Sequence, residues 1–453
     1  MLPNNSANES ANRCRQRRCL CQNDFVRPIP RTPLPHTFIV HRNQETTMPT
    51  LQPLAPACGT RQPDSFHRTR RTVLAGMLGL ACQMTWGQIA VIALENKVVL
   101  ENGVSKVLAN PKPDGAAILD LGVSPPRLIA QVELPSATVL GPPTTVAVTP
   151  NGAMALVGGG QKHDPADKSK LVNHDIVSLI DLQSSPPKLL GTVQVGQQPT
   201  GISVNPAGTL ALVANRGDGT VSVLKLGAGQ VSLIGSVTLG KADSGPSGIV
   251  FTPDGKNALV TRDGDNFVSV LKIDGDKVEE AKRDITVGTR PYGITMAPHG
   301  KWAAVANIGR GAGDADTVSI IDLTRQPFRA VETFSVGQTP EGIMASPDGL
   351  HLAVVVMNGS NKAKSNVFYN DAGQLQIWRL GANADVTPIK VAQAAIGHWS
   401  QGALFSKDGK TVLAMNMVEN ELQVFSFTGY SLKETGRIKL DGGPAAGRTA
   451  GMN

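Results

Sequence analysis

An all-β fold is predicted for this chain, a seven-bladed β-propeller with four antiparallel strands in each blade. The first observation is a pair of turns that recurs along the sequence, a Pro-X-Gly motif followed seven residues later by a Pro-Asp-Gly-type motif. Five copies keep both prolines, and a sixth copy has serine and lysine in their places. The copies begin at Pro143, Pro199, Pro246, Pro291, Pro340 and Ser400.

The second observation is the spacing of these copies, which start 45 to 60 residues apart and are followed by a Gly-Pro-Ala sequence at Pro444. Repeats of roughly 40–50 residues with about four short strands are typical of propeller blades. The third observation is that predicted strands such as Ala211–Ala214 are apolar on both faces. One small sheet cannot bury both faces, whereas a ring of radially packed sheets buries them and leaves few exposed edges.

The repeat that begins at Pro199 shows the order of the strands. Strand A follows the Pro-X-Gly turn, strand B follows the second turn, strand C follows a polar turn, and strand D leads to the next repeat. β-branched residues in the strands and Gly, Asn and Asp in the turns support each assignment. The predicted strands are Ile202–Asn205 (A), Thr209–Ala214 (B) and Val221–Leu226 (C), with Leu189–Val195 as strand D of the repeat before.

The two ends of the ring are predicted to share the seventh blade. After Pro444 only nine residues remain, which is enough for a single strand. The N-terminal part has a surplus of predicted strands before the first Pro-X-Gly motif. They lie near Ile89–Leu94 or Lys97–Leu100, at Ala116–Leu121 and at Arg127–Leu134. We therefore expect the C-terminal segment to supply strand A of this blade and the N-terminal segment to supply the rest.

Two regions are predicted, a leader over residues 1–87 and the propeller over residues 88–453. Residues 1–86 contain eleven arginines, no lysine and four acids, so they carry the whole net charge of +7. The rest of the chain is neutral, with 32 of the 43 basic and 32 of the 36 acidic residues. A neutral ring argues against nucleic-acid partners, which require a basic surface. All five cysteines lie in the leader, so the ring has no disulfide, thiolate metal site or covalently attached haem.

Within the leader, Arg70-Arg71 and the apolar run Val73–Thr85 resemble a bacterial twin-arginine export signal. The alternative is a short buried helix or strand that follows two arginines by chance. The run has 13 residues, too few to span a bilayer as a helix, so no transmembrane segment is predicted. Residues 1–47 are rich in Arg, Pro and Asn without a strand or helix period, which predicts disorder. The signal implies that the ring is periplasmic or secreted.

Two stretches of the repeats resemble the YVTN family of seven-bladed propellers. They are Leu212–Asn215 with Thr220–Leu224, and Val305–Asn307 with Thr317–Leu323. The resemblance extends over roughly residues 110–450 and implies the fold. Propellers of similar type include bacterial lactonases, the haem d1 domain of nitrite reductase, the heavy chain of methylamine dehydrogenase and surface proteins. The fold therefore does not choose the function.

Chemistry is expected at the mouth of the central channel, on the face where the D–A and B–C connections emerge. The middle residues of the Pro-X-Gly motifs should form a ring there, consisting of Thr144, Thr200, Ser247, Tyr292, Glu341, Gln401 and Ala445. Only Glu341 in this ring is ionisable at neutral pH. The predicted ligand-binding residues are Arg290, Tyr292, Glu341, Trp399, Gln401 and Arg448, and the predicted catalytic residues are Glu341 and His398. The alternative is that Glu341 pairs with an arginine and merely satisfies the loop.

Three long B–C insertions are predicted on the same face, over residues 158–175, 308–316 and 358–373. Insertions on one rim usually mark a binding surface. His163 and His174 lie in the first insertion together with several aspartates. The two histidines are eleven positions apart in a flexible loop that fixes no ligand geometry, so we predict no metal site.

Three functions are compatible with these residues. The first is a monomeric binding protein whose loop-bearing face recognises a small molecule or a partner protein. The second is a lactone-hydrolysing or isomerising enzyme with Glu341 as general base or divalent-cation ligand. In that enzyme Arg290, His398 and Arg448 would orient a carboxylate or oxyanion. The third is a subunit of a periplasmic redox enzyme, which needs a partner or a non-covalent cofactor. No cofactor is predicted beyond the optional divalent cation.

Overall fold

The structure is a computed structural model that describes residues 88–227, 229–384 and 387–451. The predicted leader, with Arg70-Arg71 and the five cysteines, lies outside the described residues. Across these three ranges no helix is both long enough and apolar enough to cross a membrane.

The described residues form seven four-stranded antiparallel sheets in a ring, which confirms the predicted propeller. Each sheet is a blade, and the innermost strands of successive blades contact one another around the centre. Blade 1 contains β30 (Gly443–Thr449), β1 (Ile89–Glu95), β4 (Asp114–Asp120) and β5 (Arg127–Leu134). Blade 2 contains β6 (Val146–Val148), β7 (Met154–His163), β8 (Leu171–Asp181) and β9 (Lys188–Gln194). Blade 3 contains β10 (Pro199–Val204), β11 (Leu210–Asn215), β12 (Thr220–Gly227) and β13 (Gln230–Thr238).

The remaining blades follow the same order from the inner to the outer strand. Blade 4 contains β14 (Pro246–Phe251), β15 (Asn257–Arg262), β16 (Phe267–Asp274) and β17 (Lys277–Thr286). Blade 5 contains β18 (Pro291–Met296), β19 (Trp302–Asn307), β20 (Asp316–Asp322) and β21 (Arg329–Gly337). Blade 6 contains β22 (Pro340–Ala345), β23 (His351–Val356), β24 (Gly373–Arg379) and β25 (Ile389–Ile396). Blade 7 contains β26 (Ser400–Phe405), β27 (Thr411–Asn416), β28 (Glu421–Phe427) and β29 (Leu432–Lys439). A separate hairpin contains β2 (Val98–Glu101) and β3 (Val104–Val107), and Ala242–Ser244 form one 3-10 turn.

The blades pack face to face through inner strands that are buried on both sides. All residues of β10 and β11 are buried, because a neighbouring blade covers each face of the sheet. The core between blades 3 and 4, for example, joins Leu212 to Phe251 and Val260. The outer strands are more exposed, as at Leu233 and Ile234 of β13. Strands that are apolar on both faces are therefore what a radial arrangement of sheets requires.

The glycine of the Pro-X-Gly motif is required by the crowding of the inner strands. A Cβ atom on Gly201 would lie 2.2 Å from the carbonyl oxygen of Ser247 in the next blade, and one on Gly342 would lie 2.5 Å from that of Gln401. A side chain at these positions would therefore force the inner strands apart. The residue before the motif has a left-handed backbone at Gln198, Arg290, Thr339 and Trp399, with φ of 54°, 53°, 56° and 48°.

The asparagine that ends strand B organises the B–C turn. The side-chain amide of Asn215 donates hydrogen bonds to the hydroxyl oxygens of Thr220 and Ser222, each at 2.9 Å. Asn307 makes the same two bonds in blade 5, each at 3.0 Å. These residues belong to the stretches that resemble the YVTN family, and in this structure they stabilise a turn.

Blade 1 combines strands from both ends of the described chain. β30 pairs with β1 in antiparallel register from Ala90↔Thr449 to Glu95↔Gly443, and every residue of β30 is buried. Of the two N-terminal strands considered from the sequence, Ile89–Leu94 lies in the blade, whereas Lys97–Leu100 falls largely in β2 of the separate hairpin.

A buried ion cluster ties blade 1 to the chain that enters blade 2. The ammonium of Lys97 contacts Glu95 at 2.8 Å, Asp114 and the carbonyl oxygen of Ala137 at 2.8 Å. The backbone N–H of Ala137 in turn donates to Asp114 at 2.9 Å. Burial raises the pKa of Glu95 to about 7, although the adjacent Lys97 opposes that shift. The cluster fixes the connection between the closing blade and its neighbour.

The face that carries the D–A and B–C connections is called the insertion face. Residues 158–175 form the predicted B–C insertion, and the predicted loop between His163 and His174 is shorter than expected, because β8 already begins at Leu171. β7 and β8 remain paired as far as His163↔Leu171, because the ladder of backbone hydrogen bonds continues beyond the body of the blade. The insertion is therefore a β-ribbon with a short turn.

The insertions of different blades contact one another across the insertion face. At the tip of the β2–β3 hairpin, a Cβ atom on Gly103 would lie 2.1 Å from the backbone nitrogen of Ala363 in the insertion of blade 6. His163 of the β-ribbon lies with Nε2 2.8 Å from the carbonyl oxygen of Leu108. Insertions of blades 1, 2 and 6 thus form one connected layer.

Candidate functional site

Six polar residues from blades 3 to 6 form a cluster on the insertion face, at the ends of the inner strands. We call it the mouth cluster, and its members are Arg216, Ser247, Asp263, Arg290, Tyr292 and Glu341. Three of these residues, Arg290, Tyr292 and Glu341, were predicted as ligand-binding from the sequence.

Arg216 connects three blades within the mouth cluster. It lies in the turn after β11, and its guanidinium donates two hydrogen bonds to Asp263, at 2.9 Å to Oδ1 and 2.7 Å to Oδ2. It also donates to the hydroxyl of Ser247 in blade 4. The guanidinium carbon lies 5.8 Å from the centre of the Tyr292 ring in blade 5, a cation–π distance. Two parallel bonds to one carboxylate fix the position of this arginine.

Arg290 shares the same carboxylate but is more accessible. Its Nη2 lies 3.3 Å from Oδ2 of Asp263, and its side chain is 41% exposed, against 20% for Arg216. The left-handed backbone at Arg290 is supported by a bond of 2.8 Å from its N–H to Asn266. Arg290 is therefore the better placed of the two guanidiniums to reach a molecule that arrives from solvent.

Glu341 is a buried carboxyl without a hydrogen-bonding partner among the described side chains. The residue is 6% exposed, and burial raises its pKa to about 8. The positive charges of Arg290 and Arg216 oppose this rise without cancelling it. With Glu341 protonated, two guanidiniums face the single carboxylate of Asp263, which leaves one net positive charge. Ionisation of Glu341 makes the cluster neutral.

Tyr292 completes the polar lining next to Glu341. Burial raises the pKa of its hydroxyl, and the neighbouring Glu341 charge adds to the effect, so the tyrosine stays protonated at physiological pH. Its hydroxyl makes no hydrogen bond to any residue that the structure describes. A phenol of this kind can donate a hydrogen bond to an incoming oxygen.

Other members of the predicted ring are largely satisfied by backbone groups. Thr200 donates to the carbonyl oxygen of Ser247 at 3.2 Å, and the side-chain amide of Gln401 donates to that of Trp399 at 3.0 Å. Thr144 differs, because its buried hydroxyl has no partner within the described ranges. Within the predicted ring, the polar side chains without a hydrogen-bonding partner in the described part of the chain are therefore those of Thr144, Tyr292 and Glu341.

The structure does not join His398 to the mouth cluster. Its Nδ1 lies 2.6 Å from Glu419 and its Nε2 lies 3.3 Å from Asp371, which also accepts a hydrogen bond from Tyr369. Partial burial lowers the pKa of His398, but the hydrogen bonds to Glu419 and Asp371 outweigh it and hold that pKa above its ordinary value. The predicted catalytic histidine thus links the insertion of blade 6 to the B–C turn of blade 7.

Trp399 lies beneath the β2–β3 hairpin. It lines a cavity of about 290 Å³ together with Val98, Leu100 and Met417. Its backbone N–H donates to Ser360 at 3.2 Å. The cavity is a pocket between the hairpin and blade 7, separate from the six residues of the mouth cluster.

Arg448 lies deeper than the sequence suggested. It belongs to β30 and is 6% exposed, and Nη1 lies 3.8 Å from the sulfur of Met344. Burial lowers its pKa to about 10, and no carboxylate of the described chain opposes that shift. Because Arg448 follows the ring residue Ala445 by three positions, it lies roughly 10 Å further along the strand.

Sequence reasoning missed Arg216 and Asp263. A signal was present, since both directly follow a strand B and thus enter the B–C turn, Arg216 after Asn215 and Asp263 after Arg262. These turns emerge on the same face as the Pro-X-Gly motifs. Charged residues at this position are therefore expected next to the channel mouth.

Metal binding receives no support from the arrangement of ligands. Among residues 88–227, 229–384 and 387–451, no group of three or more His, Cys, Asp or Glu side chains is placed to hold a metal ion. A divalent cation bound through Glu341 stays a prediction from the sequence.

Comparisons with known proteins identify the fold. No protein-family model matches the chain, and no curated protein matches it. Among solved structures, a candidate 6-phosphogluconolactonase from Bacteroides uniformis matches with a TM-score of 0.60 and 18% identity, over 80% of this chain and 99% of that chain. The periplasmic gluconolactonase of Pseudomonas aeruginosa matches with a TM-score of 0.59 and 16% identity, over 80% and 99%. A candidate 6-phosphogluconolactonase from Bacteroides fragilis matches with a TM-score of 0.60 and 16% identity, over 81% and 99%. These neighbours are lactonase-like seven-bladed propellers, and at this identity they show the fold.

Proposed function

We propose that the mouth cluster binds a small lactone or sugar acid and that the protein hydrolyses the lactone. The observation that supports this proposal is Glu341, a buried carboxyl in the mouth cluster whose pKa burial raises to about 8 against the charges of Arg290 and Arg216. A catalytic acid or base works best when its pKa lies near the operating pH. Lactonases among the proteins of similar fold favour this chemistry over the other two candidates.

Three groups of the cluster have a direct role in such a hydrolysis. Ionised Glu341 takes a proton from a water molecule, whose oxygen attacks the lactone carbonyl carbon. The accessible guanidinium of Arg290 and the hydroxyl of Tyr292 stabilise the oxyanion that forms on the carbonyl oxygen. The ring C–O bond then breaks, and protonated Glu341 returns its proton to the leaving alkoxide. The products are one hydroxy acid and the regenerated carboxylate.

Replacing Glu341 by glutamine is expected to lower kcat by a factor of about 10²–10⁴, because the amide cannot accept the proton. The measurement is hydrolysis of a panel of sugar-acid lactones by the wild type and by Glu341→Gln. Glu133→Gln is the matched control, since Glu133 is exposed on the outer strand β5. The wild-type kcat/KM should rise with pH and level off above about 8, where Glu341 is ionised. Full turnover by Glu341→Gln would remove this residue from the mechanism.

Binding without chemistry is the second candidate. It is favoured by the layer of insertions, because loops gathered on one rim usually form a recognition surface. A sugar acid that raises the melting temperature of the wild type without being turned over would support it. The location in the periplasm is proposed from Arg70-Arg71 and the apolar run Val73–Thr85, and subcellular fractionation of the producing cell tests it.

A further inference from the structure

A second level of inner-strand residues lies below the mouth cluster, and four of its seven members are apolar. Every inner strand contributes one residue to it, four positions after the Pro-X-Gly proline or the serine that replaces it. These residues are Ala147, Ser203, Val250, Thr295, Met344, Leu404 and Arg448. Arg448 is the ionisable member of this set, and the set contains no carboxylate.

The side chain of Arg448 contacts a blade that is not its direct neighbour. Arg448 belongs to blade 1 and Met344 belongs to blade 6, and blade 7 separates these two blades in the ring. The distance of 3.8 Å between Nη1 and the Met344 sulfur therefore shows that the guanidinium reaches past the inner strand of blade 7. With 6% of the residue exposed, the charge is held inside the ring.

Two hydrogen-bond donors converge on the same weak acceptor. The hydroxyl of Thr295 lies 4.0 Å from the Met344 sulfur, and Nη1 of Arg448 lies 3.8 Å from the same sulfur. The Thr295 oxygen already accepts the N–H of Ala345 at 3.1 Å, so its hydrogen is free to be donated. A thioether is a poor partner for either donor. A buried guanidinium is costly unless an opposite charge or strong acceptors compensate it.

We propose that Arg448 and Thr295 bind a small monovalent anion inside the central channel. Chloride and a single small carboxylate such as formate share the required chemistry, which is one negative charge that accepts hydrogen bonds from both donors. This site is separate from the mouth cluster and does not depend on lactone hydrolysis. The bound anion neutralises the buried guanidinium of Arg448, which no carboxylate of the described chain compensates.

Thermal melting against anion concentration tests this proposal. The probes are sodium bromide, sodium formate and sodium phosphate, with bulky sodium HEPES added to keep the ionic strength constant. We expect bromide or formate to raise the melting temperature of the wild type along a saturating curve. Phosphate should raise the melting temperature less than bromide or formate does, because its second negative charge has no positively charged partner at this level. A stronger response to bromide assigns the site to inorganic halide, and a stronger response to formate assigns it to carboxylates.

Three variants make the result specific. Arg448→Met should lose the saturating response, whereas the matched control Arg310→Met should keep it, since Arg310 is exposed on a B–C insertion. Glu341→Gln should also keep the response, which separates this site from the proposed catalytic site. An unchanged response in Arg448→Met, or no saturating response in the wild type, would overturn the proposal.

Diffraction provides a readout that does not depend on a variant that folds. Wild-type crystals soaked in bromide should show an anomalous peak within hydrogen-bonding distance of the Arg448 guanidinium. Water alone at this position in a soaked crystal would contradict anion binding, even if Arg448→Met cannot be purified.

Discussion

Deleting residues 442–453 is expected to abolish cooperative unfolding of the whole ring. The deletion removes β30, all of whose residues are buried, together with its pairing to β1. The inner edge of blade 1 would then be unpaired, and blades 2 and 7 would lose the inner strand that both contact. In a closed ring each blade is stabilised by two neighbours, so one missing inner strand exposes apolar faces on both sides.

Calorimetry or circular dichroism during heating measures this effect. The matched control is deletion of residues 451–453 alone, which leaves β30 intact and should unfold like the wild type. A melting curve for the longer deletion that coincides with the wild type would show that blade 1 does not close the ring.

Replacing Asp263 by asparagine is expected to lower the free energy of unfolding by about 3 kcal/mol. Asp263 is 3% exposed and holds Arg216 through two hydrogen bonds, with Arg290 at 3.3 Å. Asparagine has nearly the same shape but no charge, so the mostly buried Arg216 would lose its counter-ion. Most of this decrease in the free energy of unfolding comes from the unpaired charge of Arg216, since water solvates the charge of the half-exposed Arg290.

Denaturant unfolding of Asp263→Asn checks this value. The control is Asp276→Asn, whose exposed ion pair with Lys225 should contribute less than about 1 kcal/mol. The double variant Asp263→Asn with Arg216→Met should recover part of the stability, because it removes the unpaired charge as well. Equal effects of the two asparagine variants would show that the mouth cluster is not held by this ion pair.

The fold could be predicted because its determinants repeat within short stretches of sequence. Pro-X-Gly marks each inner strand, since Gly201 and Gly342 have no room for a side chain. Asn215 and Asn307 mark the ends of two strands B, since each bonds two residues of the adjoining strand C. Such local constraints can be identified from one sequence, and counting them gives the number of blades.

The site could be predicted only in part because its contacts join different blades. Arg216 and Asp263 are 47 residues apart, and only the stacking of blades 3 and 4 brings them together. His398 was grouped with Glu341, but Glu419 and Asp371 bind it instead. The sequence contains no signal for those partners, which lie in a turn and an insertion of different blades.

The position of Arg448 along the channel axis was the other feature that the sequence analysis did not predict. Arg448 was placed near the mouth because it follows Pro444 closely, yet each residue advances a strand by about 3.3 Å. The three positions from Ala445 to Arg448 therefore separate the two levels by about 10 Å. Position within a strand, counted from the proline, would have assigned Arg448 to the level of Met344.

The proposed site requires that folded Glu341 holds a proton at neutral pH. The most direct test measures the free energy of unfolding against pH for the wild type and for Glu341→Gln. Between about pH 4.5 and 8 the folded wild type retains a proton on Glu341 that the unfolded chain has released. The free energy of unfolding of the wild type should therefore fall relative to Glu341→Gln as the pH rises, by at most about 1.4 kcal/mol per pH unit. The difference should become constant above about pH 8. Parallel curves for the two proteins from pH 5 to pH 9 would contradict a buried, protonated Glu341 and with it the proposed site.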